Sequence, residues 1–211
     1  MTAGARETTA EPAQPVWMLT PLESVGPLRF GMHACEVKAA LPGAFELSRF
    51  SADPFFPDIC GIQLGFHPAV PALYAYFDGA SRLFCVAVDA SYGPQVTLDS
   101  LELTGRVPAV VEEMVLDLHR SGAHSVSYGP RGNPGINGMG LVLRVQETPS
   151  GVLTRPVLVG RGWADRCTDD WEGPVPECEW LGRQWLSYDG SDVWPPLGHN
   201  TNWPPGWSPP F

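Results

Sequence analysis

At 211 residues and 44% hydrophobic content the chain can bury one large core, and no stretch approaches the 18 uninterrupted apolar residues of a membrane span. The balance of 23 acidic against 13 basic residues leaves a net charge of -10, which argues against nucleic acid or an anionic membrane as main partner, because phosphate binding needs a Lys/Arg stripe. A basic protein is the natural partner, and an opening without a basic and then apolar signal region makes a cytoplasmic protein the expectation.

Residues 1–15 (MTAGARETTAEPAQP) lack periodicity and are expected to be a disordered tail. The next segment to carry pattern is LRFGMHACEVKAALPG (28–43). LRF reads as a short strand and Gly31 as a turn; Val37, Ala40 and Leu41 line one face of a short helix ended by Pro42 and Gly43. AFELSRF, CGIQLGF, ALYAYFD and RLFCVAVD then read as strands, with a hairpin at Asp78-Gly79.

The order of elements returns. LELT (101–104) reads as a strand and PAVVEEMVLDLHRSG as a helix with Pro108 near its first turn and Gly122 past its end. Val107, Val110, Val111, Met114 and Leu118 form its expected apolar stripe. HSVSY, a glycine-rich loop (129–140), GLVLRVQ, the turn TPSG and VLTRPVLVG complete the set. The expected fold is therefore α+β: a mostly antiparallel sheet from two degenerate strand, helix, three-strand repeats (about 28–89 and 101–160), with both helices on one face. Together these make one domain over 16–162. Residues 163–211, holding seven of the eight tryptophans and eight prolines, are expected to pack on the sheet as an acidic extension.

Three stretches are candidates for chemistry. In His33-Ala34-Cys35-Glu36 the frame is wrong for a zinc deaminase, which needs H-x-E or C-x-E followed by P-C-x-x-C; a helix start explains it better, with Glu36 complementing the dipole and Cys35 toward the core or its edge. The stretch GPRGNPGINGMG lacks the Gly-Lys-Ser/Thr ending of a phosphate cradle, and His33, His67, His119, His124 and His199 are scattered. No catalytic residue, metal site or cofactor is expected. The five cysteines include no C-x-x-C; most read as buried free thiols, Cys60 and Cys85 as small hydrophobes, and Cys167 and Cys178 as able to pair only if the protein is exported.

The most unusual stretch is WADRCTDDWEGPVPECEW (163–180). Trp163, Trp171 and Trp180 alternate there with Asp165, Asp169, Asp170, Glu172, Glu177 and Glu179, a pattern suited to binding a basic partner through aromatic anchors and acidic steering. The single lysine, Lys38, fits a high-G+C bacterial genome. The pattern LRFGM, then EV, then L over residues 28–41 resembles the opening of small α/β modules in bacterial proteins, including toxin-neutralising immunity proteins and the small lipoprotein subunit of the outer-membrane barrel-assembly machine. With no lipoprotein signal at its start, the chain is closer to the immunity branch. What the resemblance implies is a strand-turn-helix opening and a non-enzymatic protein that occludes the active site of a basic toxin or effector. The alternative is an enzyme or small-ligand protein with an indole-lined pocket between sheet and extension.

Overall fold

Thirteen strands, two α-helices and two 3₁₀ turns make up the computed structural model, which describes residues 14–51, 58–122, 124–128 and 133–167. In order they are β1 (Val16–Thr20), β2 (Ser24–Val25), β3 (Leu28–Arg29), α1 (Ala34–Ala40), β4 (Phe45–Ser51), β5 (Cys60–Gly65), β6 (Leu73–Phe77) and β7 (Leu83–Val88). There follow β8 (Gln95–Leu98), β9 (Leu101–Glu102), α2 (Pro108–Arg120), β10 (Ser127–Tyr128), β11 (Pro134–Ile136), a 3₁₀ turn (Asn137–Met139), β12 (Leu141–Thr148), β13 (Gly151–Val159) and a 3₁₀ turn (Arg161–Arg166).

The fold is α+β with mostly antiparallel pairing. Its larger sheet has the order β10-β11-β12-β13-β7-β6-β5-β4, so each helix is followed by a four-stranded meander and the two meanders join through their last strands. At that joint Val157, Leu158 and Val159 pair with Ala87, Val86 and Cys85. The repeat read from element order is present, and the second copy gains a strand inside the glycine-rich stretch. That stretch is not all loop: β11 pairs with both β10 and β12. Gly140 shows why glycine is needed there. Its φ is +61°, and a Cβ would lie 2.3 Å from the Val159 carbonyl oxygen.

Local chemistry sets the hairpins. Asp78 Oδ1 accepts the backbone N–H of Ala80 and Arg82 at 3.0 and 2.9 Å, closing the β6–β7 turn as an Asx motif. At the expected TPSG turn Thr148 Oγ1 donates to the Gly151 carbonyl at 2.7 Å, and eight residue pairs from Leu141↔Leu158 to Thr148↔Gly151 join β12 to β13.

A smaller sheet, β3-β2-β1-β8-β9, lies outside the sequence reading except for β3 and β9. β1 runs parallel to β8 with Val16 opposite Gln95, a contact between residues far apart in the chain. Its inward side chains (Trp17, Leu19, Val96, Leu98), Val37 and Leu41 of α1, and Val111 and Val115 of α2 share one core with Ile62, Leu73, Val86, Leu143 and Leu158 of the larger sheet. Both helices thus serve the same face.

The apolar stripe of α2 is rotated from expectation. Val111 and Val115 are fully buried and Met114 and Leu118 partly so, whereas Val107 and Val110 are 58% and 52% exposed. Val107 is the extended N-cap, outside the helical period, and docking on β9 and β13 turns the Val111/Val115 edge inward. Cys35 and Cys60 are exposed, contrary to the reading of core thiols, because Cys35 lies on the outer side of α1 and Cys60 at the first position of β5; Cys85 and Cys167 are buried. The placement of an extension on the sheet falls outside the described residues beyond Cys167, as do the tail up to residue 13 and Cys178.

Candidate functional site

The His33-Glu36 stretch is a helix start. His33 is the extended N-cap of α1, and its backbone N–H donates to Glu36 Oε2 at 2.7 Å, the Glu half of a capping box. The His33 ring turns away to the β6–β7 hairpin, with Nδ1 3.1 Å from the Ser81 carbonyl oxygen. Arg82 reinforces the junction by donating to the Gly31 carbonyl at 3.0 Å. These side chains tie helix to sheet. Among the described residues no three His, Cys, Asp or Glu side chains gather in a metal-binding group.

Of the expected partner-binding residues, Trp163 and Asp165 are described; Asp169, Asp170, Trp171, Glu172, Glu177, Glu179 and Trp180 lie outside the described residues. The structure locks the root of that stretch to the sheet. Gly160 N–H donates to Phe84 O at 2.9 Å as β13 ends, and the chain then winds through the six-residue 3₁₀ segment Arg161–Arg166. Trp163 stacks on Phe84 with centroids 4.0 Å apart, and the Arg166 guanidinium lies 4.7 Å from its ring. Asn137 Nδ2 donates to the Asp165 carbonyl at 3.2 Å, leaving the Asp165 carboxylate exposed. Trp163 is therefore a half-buried fastener between sheet and turn, and Asp165 is the outward-facing group of the two.

The turn delivers Cys167 onto the second face of the larger sheet, where it packs in a cluster with Tyr74, Tyr76, Phe84, Cys85, Ala87, Val142, Val157 and Val159. Burial pushes the Cys167 thiol up to about 12, and nearby Arg144 pulls in the opposite direction. Sequence reasoning missed the polar part of this face. Arg144 and Arg155 stand directly opposite each other on β12 and β13, 5% and 0% exposed. Two residues along, Val142 and Val157 are also opposite and belong to the second-face cluster, so the period of two puts both arginines on that face.

The Arg155 guanidinium lies 4.9 Å from the Tyr74 ring centroid, and Arg144 Nη1 donates to the Asn133 amide oxygen at 2.6 Å in the amide orientation that also lets Asn133 donate to Leu143 O. Asp89, buried at the same end, accepts the N–H of Ser91 and Tyr92 at Oδ1 and Gln146 Nε2 at Oδ2, the last at 2.7 Å. Farther along, Phe50 lies over Gly61, where a Cβ would be 2.2 Å from the ring, and meets Tyr76 edge-on at 5.8 Å. The Tyr76 hydroxyl is fully buried with no hydrogen-bond partner among the described residues.

A signal for this face was present in GLVLRVQ and VLTRPVLV, each an apolar strand with an arginine in its interior. Neither run alone shows that the two arginines meet. No protein-family model, curated protein or solved structure matches the chain.

Proposed function

We propose that this protein is a non-enzymatic binding protein of the immunity type, acting in the cytoplasm, which neutralises a basic toxin or effector by occluding its cationic active-site cleft. The observation that carries the reading is the segregation of charge. Residues 168–211 hold seven of the 23 carboxylates and one of the 13 cations, and they follow directly on a turn fastened to the sheet through Trp163 and Cys167. A rigid root under an acidic, tryptophan-rich sequence suits a partner-binding element, with carboxylates steering a cationic surface into place and indoles supplying the affinity. Asp165, Asp169, Asp170 and Glu172 are the steering group in this reading; Trp171 and Trp180 are the anchors.

Capture from a lysate of the native host, on immobilised full-length protein, tests it. The wild type is expected to retain a basic protein at low salt and to release it at high salt, as screening weakens the steering charges. Trp171→Ala combined with Asp169→Ala is expected to cut retention roughly tenfold with the circular dichroism spectrum unchanged. Equal retention by the variant at both salt concentrations overturns the proposal.

A further inference from the structure

The outer face of the smaller sheet carries both signs of charge about an apolar centre. β1 is its central strand, with β2 and β3 on one side and β8 and β9 on the other. Along β1 the side chains alternate strictly: Trp17 and Leu19 enter the core, whereas Val16 and Met18 point outward and are 71% and 67% exposed, the two most exposed large apolar side chains among the described residues. The register places the charges. Thr20 pairs with Ser24 and Ser24 with Arg29, so the exposed Arg29 stands on this face at the β3 edge, two strands from β1. Met18 pairs with Thr97 and Thr97 with Glu102, so Glu102 stands on the same face at the β9 edge, two strands the other way. Asp99, exposed at the tip of the β8–β9 hairpin, follows Leu98 and falls in the row of Thr20 and Arg29. With strands about 4.8 Å apart, each edge lies about 10 Å from β1. Glu102 is ion-paired with Arg106 of its own chain, and Arg29 forms no ion pair among the described residues.

An apolar strand flanked at equal distances by opposite charges matches a second copy of itself. A twofold axis along β1 lays Val16 and Met18 of one copy on the same residues of the other and carries each β3 over the other copy's β9, so that Arg29 meets Asp99 and Glu102 at two equivalent places. The alternative in-plane axis, across the strands, sets β3 on β3 and β9 on β9 and brings like charges together. A partner of a single charge sign satisfies only one edge. We infer that the outer face of the smaller sheet is a homodimer interface, with Val16 and Met18 at its centre and Arg29 paired with the acidic β9 edge of the second copy. The face is smaller than the roughly 800 Å² per partner of a standard stable complex, so the dimer is weak and is expected to be half formed at about 100 µM.

Sedimentation velocity on the purified full-length chain, with no other protein present, tests this from about 1 µM to about 500 µM; its failure leaves the capture experiment unaffected. The wild type is expected to pass from monomer to dimer across that range. Met18→Glu sets two carboxylates against each other on the axis and is expected to weaken the dimer at least about tenfold. Arg29→Glu and Glu102→Arg each put like charges at both edge contacts and are each expected to weaken it about tenfold. An equal mixture of those two variants restores opposite charges at both contacts and is expected to regain the wild-type affinity. Circular dichroism checks that each variant is folded. A wild type that stays monomeric throughout overturns the inference, as does a dimer indifferent to Met18→Glu or a mixture no tighter than its components. Loss of the captured basic protein on Met18→Glu, with the wild type monomeric, gives the face to that partner and overturns it too. The wild-type series needs no substitution, so the test survives a variant that fails to fold.

Discussion

The two faces of the larger sheet are built from the same strands and have opposite character. The inner face, under both helices and the smaller sheet, carries aliphatic side chains such as Ile62, Leu73, Val86 and Leu158. The second face alternates with it residue by residue and carries Tyr74, Tyr76, Arg144, Arg155 and Gln146 among smaller apolar side chains. Burial is nearly complete on both, so burial does not separate them. The difference lies in what is buried: aliphatic groups need only dry neighbours, whereas guanidinium and phenol groups need partners of defined geometry and charge. The inner face supplies the aliphatic core that stabilises the fold, and the second face is a buried layer that mixes polar and aromatic groups.

The sharpest way to break this contrast is at β13, where neighbouring residues point to opposite faces. Leu158→Ala, on the inner face at the joint between the meanders, is expected to cost about 4 kcal/mol, measured by urea denaturation. Val157→Ala, on the second face, loses fewer methyl groups and is expected to cost about 2 kcal/mol. A larger loss at Val157 than at Leu158 would reverse the assignment of the stabilising face. Gly140→Ala should cost roughly 2 kcal/mol, because it places a Cβ against the Val159 carbonyl in left-handed backbone.

Thiol labelling sharpens the comparison without mutation. Maleimide is expected to modify Cys35 first and Cys60 more slowly, since burial raises the Cys60 thiol; Cys85 and Cys167 on the second face should react only after unfolding. Peptide mass mapping over time distinguishes them, and early modification of Cys167 would show that the second face opens readily.

The smallest effect lies at the sheet edge. Hydrogen bonds from Arg49 and Lys38 hold the Glu46 carboxyl below its ordinary value. A folded value below the unfolded one adds stability above the unfolded carboxylate range, near pH 4.5, and this is lost as pH falls through the folded value. Glu46→Gln is therefore expected to cost under about 1 kcal/mol at neutral pH, reduced by solvent screening, and to converge with the wild type in acid. Paired denaturation curves at the two pH values check the sign.

Legibility followed the range of the interactions. The α1 start, the Asp78-Gly79 and TPSG turns, α2 with Pro108 and Gly122, and the strand runs of both repeats rest on signals within a few residues, and all could be read from the chain. β1 and β8 could not: each is short, and their pairing joins Val16 to Gln95. The stripe of α2 was read one edge away from where docking placed it, because periodicity gives the spacing of apolar residues but not which edge meets a neighbour. At the candidate site, the acid and tryptophan pattern from Trp163 onward was visible as composition. The sandwich of Trp163 between Phe84 and Arg166 was not.

By itself, then, the order of residues determined the α+β class, the duplication of helix and meander, and the concentration of negative charge after Cys167, all consequences of local periodicity and charge. Tertiary structure decided that the meanders join through β7 and β13 and that Arg144 and Arg155 stand side by side on one face with Tyr74 and Tyr76. Cross-strand register is set by pairings between distant segments, and a shift of one residue would send those side chains to the opposite face.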